Sequence, residues 1–435
     1  MRATITPKIG LAGLQWMFFI LTNTIVVPLT LGHVFQLAPG QIAFSLQVSF
    51  VLTGAACMLQ AYWGHRFALM DGPAGVWWGF TLSIAASAAA SGADMKAVGG
   101  GLAAGYLLSG LMMAVLGLLG FARILRRLFN PVVISVSLFL LSAQLMANFF
   151  TGMLGIGEDG RMNPAAALLS VLIALFVAVV YLKGRGWVSN FAMLFGILLG
   201  WAAYGLAFPA PASMPDHTAA VKGLFPWGSL RVDAGIMAAS FVVGFINMSN
   251  TVTSLKAAEK LYGEAATESQ YRRSFLITGL MTLLAPVFGL IPFGTFASSM
   301  GLLESMKILH RQALAIGGGL FLVLGLIPPL GGWFSGLPVS VGSAVLFVAY
   351  LQIFGTAVRS VEGTRFNSKT IYRLALPILL GVSIMNTPSV VFSALPVYIR
   401  PLAGNGLVMG ILMSLILETC VNWTKLDIAK EKGYD

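Results

Sequence analysis

Between residues 11 and 421 the chain is an almost unbroken series of apolar runs. Each is roughly twenty residues long, the length an α-helix needs to cross a bilayer. Fourteen can be placed, near 11–31, 42–63, 67–90, 98–120, 131–150, 164–182, 188–208, 235–256, 273–291, 292–306, 313–331, 337–356, 371–391 and 403–421. Hydrophobic residues make up 57% of the 435 and charged residues only 9%. No soluble core of this size could hide so much apolar surface. The expected fold is therefore an all-α polytopic membrane protein. The net charge of +11 would point to nucleic acid in a soluble chain. Here it is assigned to basic loops, and no nucleic-acid partner is expected.

Loop charges test the count of segments. With the N-terminus placed in the cytoplasm and the segments alternating, 21 of the 26 Lys and Arg fall inside. Only Lys96, Lys222, Arg161, Arg231 and Arg400 fall outside. A missed or invented helix would mix the two sets, so the asymmetry supports fourteen segments with both termini cytoplasmic. Met1–Gly10 is short and basic and runs into the first segment without a cleavage site, so no removable signal peptide is expected.

The chain also repeats itself. Val115-Leu116-Gly117-Leu118 recurs as Val323-Leu324-Gly325-Leu326, 208 residues on, and Phe139 and Gln144 recur as Phe347 and Gln352 at the same offset. An odd number of segments per half puts the halves in opposite orientations, which is the inverted-repeat design of secondary transporters. The expected organisation is a first repeat over 1–208, an external loop at 209–234, a second repeat over 235–421 and a cytoplasmic tail at 422–435.

The repeat pairs segment 3 with segment 10, the two that read as broken. Ile291–Gly301 carries Pro292, Gly294 and Gly301, with hydroxyls at Thr295, Ser298 and Ser299. Its partner, Leu69–Gly79, carries Asp71, Gly72, Pro73, Gly75, Trp77 and Trp78. Irregular backbone survives at membrane depth only where it is buried in protein or lines a cavity. Half-helices starting after such breaks turn free N–H groups and a positive dipole end toward a ligand. Asp71 has two readings: pairing with Arg66 at the cytoplasmic mouth, or proton coupling, since an ionised carboxylate at depth costs ~2.5–3.5 kcal/mol. Trp77 and Trp78 can be packing residues or stacking platforms.

Segment 8 adds Asn247, Asn250, Thr251 and Ser254 at helical spacing. Such a face is either interhelical glue or a cavity wall. Gly99–Gly101 and Gly317–Gly319 follow no strand and carry no phosphate-loop Lys, so helix packing explains them. Cys57 and Cys420 are too far apart in sequence to suggest a disulfide framework. The four histidines show no ligand spacing, and no metal or organic cofactor is expected. No nucleophile–base arrangement stands out, so the chain does not read as an enzyme.

These stretches resemble the nucleobase/ascorbate transporter family, the nucleobase:cation symporters that include uracil, xanthine and purine permeases. The likeness covers nearly the whole chain. It is clearest at Gly13-Leu14-Gln15, Asp71-Gly72-Pro73 with Trp77-Trp78, Tyr271–Phe275, Ser298–Gly301 and Ile371–Pro377. It is similar above all to the bacterial purine permease branch. The resemblance implies two inverted seven-segment repeats, with segments 1–4 and 8–11 as a substrate-binding core. Segments 5–7 and 12–14 would form a gate and a homodimer surface in the bacterial inner membrane, with lipid around them. It implies import of a nucleobase, a purine or uracil, by proton symport with alternating access. The substrate-binding set it implies is Gln15, Ala74, Gly75, Trp77, Asn247, Thr251, Phe296, Ala297, Ser298 and Ser299, with Asp71 as the proton-coupling candidate.

The family usually has a carboxylate where Asn247 stands, His or Asp where Thr251 stands, and Glu or Gln followed by Asn where Ser298-Ser299 stands. With the usual carboxylate missing, Glu304 and Glu418 join Asp71 as the remaining acids near the membrane. An amide offers an acceptor and two donors, so Asn247 suits a neutral base with a mixed edge, such as a purine. An anion carrier or an uncoupled facilitator on the same fold is the alternative. A receptor or membrane enzyme would call for an output domain or a reactive cluster.

Overall fold

A computed structural model describes residues 7–156, 160–185, 187–208, 224–396 and 399–423. Most of the expected external loop (209–223) and the tail from 424 lie outside the described residues, as does the side chain of Glu304.

Every expected segment holds a helix. The first half runs α1 (Pro7–Thr24), α2 (Val26–Val34), α3 (Pro39–Tyr62), β1 (Asp71–Pro73), α4 (Gly75–Ala90) and α5 (Met95–Leu118). It continues through α6 (Ala122–Leu128), α7 (Pro131–Met153), α8 (Pro164–Lys183), α9 (Trp187–Asn190) and α10 (Ala192–Ala207). The second half runs α11 (Ala234–Tyr262), α12 (Glu268–Leu284), β2 (Phe293–Thr295), α13 (Ser299–Met306), α14 (Arg311–Gly325) and α15 (Pro328–Ser335). It closes with α16 (Val339–Ser360), α17 (Ser368–Met385), α18 (Arg400–Ala403) and α19 (Gly406–Cys420). Among the described residues, eight spans are long and apolar enough to cross a membrane.

Helix starts follow from local chemistry. Asn130, Asn163, Asp233, Asn367 and Asn405 each accept a hydrogen bond from a first-turn N–H of the helix that follows. Pro39, Pro131 and Pro164 sit where a helix needs no donor. Several segments differ from their expected extents because hydropathy averages over short turns; the seventh is divided at Phe191 and the ninth ends at Leu284. The first is divided at Ile25, and the eleventh stops at Gly325 before Pro328-Pro329. The thirteenth stops at Met385 before Asn386-Thr387-Pro388.

Small residues set the helix spacing, as expected where no hydrophobic force drives helices together in lipid. α14 packs on α3 and α1, and α5 packs on α11 and α12. A Cβ added at Gly317 would lie 2.7 Å from the Gly13 carbonyl, and one at Gly318 would lie 2.9 Å from the Gly54 carbonyl. The second glycine triplet is therefore a helix-packing seam, whereas Gly99 and Gly100 of the first lie against the backbone of Trp227 and Ser229, before α11 begins. In the other set of helices, α7 packs on α16, α17 and α19, and α16 on α8 and α10. Phe139 and Phe347 occupy corresponding places on α7 and α16, where the sequence repeat puts them.

A valine at Gly54 would put its Cβ 2.7 Å from the Leu322 nitrogen and against the Gly318 carbonyl. Overpacking of that kind costs about 1–3 kcal/mol. Gly54→Val is expected to lower the unfolding temperature in detergent by several degrees. Gly355→Val, where nothing lies within 4 Å of an added Cβ, is the control and is expected to leave it unchanged.

Candidate substrate site at the strand crossing

The two broken segments meet. β1 and β2 pair antiparallel in the register Asp71–Thr295, Gly72–Gly294 and Pro73–Phe293. The ladder is extended by Ala74 N donating to Pro292 O at 3.0 Å and Phe296 N donating to Met70 O at 2.9 Å. A two-stranded ladder leaves each strand an outer edge, and at membrane depth no water completes it.

Side chains complete it instead. Asn247 Nδ2 on α11 donates to Phe293 O at 2.7 Å. Thr251 and Thr295 hydroxyls lie 3.1 Å apart, and Ser254 Oγ donates to Thr295 O at 3.5 Å. Thr282 Oγ1 accepts from Phe293 N at 3.2 Å, and Ser299 Oγ accepts from Met70 N at 3.0 Å. The polar face of α11 thus stands in for a third strand. Asn250 Nδ2 donates to Asn247 Oδ1 at 3.3 Å, which occupies the other end of that amide. Gly294 is needed here: a Cβ would fall 2.6 Å from Asn247 Oδ1 and 2.9 Å from Ala74 Cβ.

Asp71 is fully buried, and Arg66, the partner its sequence position allowed, is exposed and makes no ion pair with it. Asp71 Oδ2 accepts from Gln60 Nε2 and from Thr278 Oγ1, both at 2.6 Å. Gln60 Nε2 also reaches Thr278 Oγ1 at 3.0 Å and Ser274 O at 3.2 Å. Asp71 Oδ1 and Gln60 Oε1 are buried with no hydrogen-bond partner among the described residues. The mouth pairing is therefore replaced by a closed polar cluster between α3, β1 and α12. Glu418 instead pairs with Arg373 Nε at 2.6 Å and accepts from Asn130 Nδ2 at 2.6 Å, so it ties α7, α17 and α19 together.

All but one of the expected site residues divide into two groups, Gln15 standing apart. Ala74, Trp77, Asn247, Thr251 and Ser299 are buried. Trp77 packs edge-on against Tyr106 of α5 at 5.1 Å, the packing alternative of its two readings. Trp78 donates from Nε1 to Thr30 Oγ1 at 3.1 Å. Gly75, Phe296 and Ala297 are half-buried and Ser298 is exposed, so they form the open side of the crossing. Gln15, on α1, is half-buried, and no hydrogen bond joins its side chain to either strand among the described residues.

The backbone donors Gly75 N, Val76 N, Ala297 N and Ser298 N take no partner among the described residues. They begin the two half-helices, one pair at each end of the ladder. The sequence patterns do not single out Gln60, Thr278 or Thr282. Gln60 lies seven residues from Thr53 on one helix face, which was the available signal.

The Permease family profile, that of the xanthine/uracil permeases, matches residues 7–390. Putative purine permease YwdJ of Bacillus subtilis (strain 168) is 28% identical over 96% of this chain and 97% of its own. Uric acid permease PucJ of the same organism is 24% identical over 94% and 92%. Among solved structures, the transmembrane domain of a cyanobacterium bicarbonate transporter, BicA, superposes with a TM-score of 0.61 at 13% identity, covering 95% of this chain and 98% of that one. The murine Slc26a9 anion transporter in the inward-facing state gives 0.65 at 11% identity, covering 99% and 69%. These two share the fold. The chain belongs to the Permease family of xanthine/uracil permeases and is a multi-pass membrane transporter, not an enzyme.

Proposed function

We propose that this permease imports a nucleobase, a purine such as xanthine, hypoxanthine, guanine or adenine, or uracil, across the bacterial inner membrane by proton symport. The observation that carries this reading is the strand crossing, where each half-helix starts with two backbone N–H groups unclaimed among the described residues, those of Ala297 and Ser298 lying beside half-buried Phe296. An aromatic face, a hydroxyl and donors at two positive helix ends suit a flat heterocycle rich in acceptors. On this reading Gly75, Phe296, Ala297 and Ser298 contact the base. Asn247 and Thr251 act through β2, since their polar groups already hold that strand. The carbonyl-bearing bases are then favoured over adenine.

Asp71 is the proposed proton carrier. It is a buried carboxylate with one free oxygen and no cationic partner among the described residues, so it is costly to keep ionised. It lies on β1, directly across from Thr295 of β2, so its charge state bears on both strands. The helices α1–α5 and α11–α14 form the moving core in this reading. α7, α8, α10, α16, α17 and α19 form the gate and the homodimer surface, with both termini cytoplasmic.

Proteoliposomes given labelled xanthine, hypoxanthine, guanine, adenine and uracil test the substrate class. Saturable uptake of at least one, increased by an inward proton gradient, is expected; saturable uptake of none would sink the nucleobase reading. Asp71→Asn is expected to abolish accumulation against a gradient while leaving base-for-base exchange, and retained gradient-driven accumulation would remove Asp71 from the coupling.

The division of labour at the site is tested separately. Asn247→Ala leaves Phe293 O unpartnered, at a cost of about 1–3 kcal/mol, and is expected to lower thermal stability together with transport. Ser298→Ala is expected to keep stability and weaken substrate affinity. Transport with unchanged affinity in both variants would show that the site has been misplaced.

A further inference from the structure

The two glutamines related by the sequence repeat, Gln144 on α7 and Gln352 on α16, have no part in the site described above. Each approaches a glycine on one of the half-helices. Gln144 Nε2 donates to Gly79 O of α4 at 3.0 Å, and a Cβ at Gly79 would lie 2.8 Å from Gln144 Oε1. A Cβ at Gly301 of α13 would lie 3.4 Å from Gln352 Oε1, with no other contact from outside its own helix within 4 Å among the described residues. Gly79 and Gly301 are themselves equivalent: each lies seven residues beyond the glycine at the centre of the strand register, Gly72 or Gly294. The four residues therefore make two copies of one contact, related by the symmetry of the ladder.

The copies are not in the same state. Gln144 is buried and bonded. Gln352 is half-buried, and its amide makes no hydrogen bond among the described residues. The unmade contact is on the half-helix whose start, Ser298, is exposed.

We infer that Gln144 and Gln352 are paired positioning residues that latch the half-helices alternately. The Gln144–Gly79 bond holds the conformation in which Ser298 is open. In the opposite conformation the Gln352 amide bonds the backbone of α13 near Gly301 while Gln144 lets go. Glycine at both places lets the amide reach the helix backbone. This rests on the transporter reading but not on the identity of the substrate.

The test needs no substrate, so its failure is distinguishable from failure of the nucleobase reading. Ser298→Cys is placed in a Cys420→Ser background, because Cys420 is exposed whereas Cys57 is buried. The rate of modification by a small thiol reagent then reports the population of this conformation. Loss of one hydrogen bond of ordinary net strength changes a population ratio about fivefold. Gln144→Met is expected to slow labelling by about that factor, and Gln352→Met to leave it unchanged or raise it. Gly79→Ala reaches the same contact from the other side in a residue change that favours the helix. It is expected to slow labelling as Gln144→Met does, and the double variant is expected to be no slower than either single one. Unchanged labelling in both Gln144→Met and Gly79→Ala, or slowing by Gln352→Met, would overturn the proposal.

Discussion

The architecture depends on one unmet demand: two extended backbone segments at membrane depth have hydrogen-bonding groups that lipid cannot satisfy. Each segment meets half of the demand by pairing with the other through Gly72 and Gly294. The remainder falls to side chains. Asn247 and Ser254 of α11 and Thr282 of α12 bond the outer edge of β2, Ser299 of α13 takes the Met70 N–H, and Thr251 of α11 holds the Thr295 hydroxyl. This explains why the polar residues of α11 are clustered on a long apolar helix, and why the crossing can remain open on one side without unravelling. Among the described residues the N–H groups of Gly75, Val76, Ala297 and Ser298 at the half-helix starts take no partner, and these are groups a substrate with acceptors would use.

The same economy accounts for the charged residue. Asp71 is on the ladder, but its carboxylate turns to Gln60 and Thr278 on α3 and α12. The face proposed to take the base and the carboxylate are therefore joined by the strand pair and need not touch. A proton taken up at Asp71 would alter how β1 sits on α3 and α12, and through the register how β2 sits on α11. Coupling through backbone in this way needs no acid in the α11 position where the family usually has one, which here is Asn247.

Much of this was legible in the sequence. Run lengths and loop charges gave fourteen segments, and the 208-residue repeat paired the third with the tenth. Pro292, Gly294, Gly72 and Pro73 showed where helices had to break. Two kinds of information were not legible. A break does not say whether the chain loops or forms a strand; that depends on the partner segment being extended at the same depth. Nor does spacing say which way a polar face is spent. Asn247 and Thr251 have the spacing of a cavity wall, yet Asn247 is taken by the Phe293 carbonyl on the edge of β2 and Thr251 by the Thr295 hydroxyl, because unsatisfied polar groups at membrane depth have a stronger claim on them than open space. Trp77 was likewise ambiguous until Tyr106 of α5, distant in sequence, was placed beside it.

The base is proposed to lie at the open side of the strand crossing, bounded by Gly75 and Phe296–Ser298. A cryo-electron microscopy reconstruction of the protein with saturating xanthine or uracil, whichever it transports, tests it most directly. The account predicts planar density beside Phe296, within hydrogen-bonding distance of Ser298 and of at least one of the unclaimed half-helix N–H groups. Density for the base elsewhere, with the crossing empty, would contradict it.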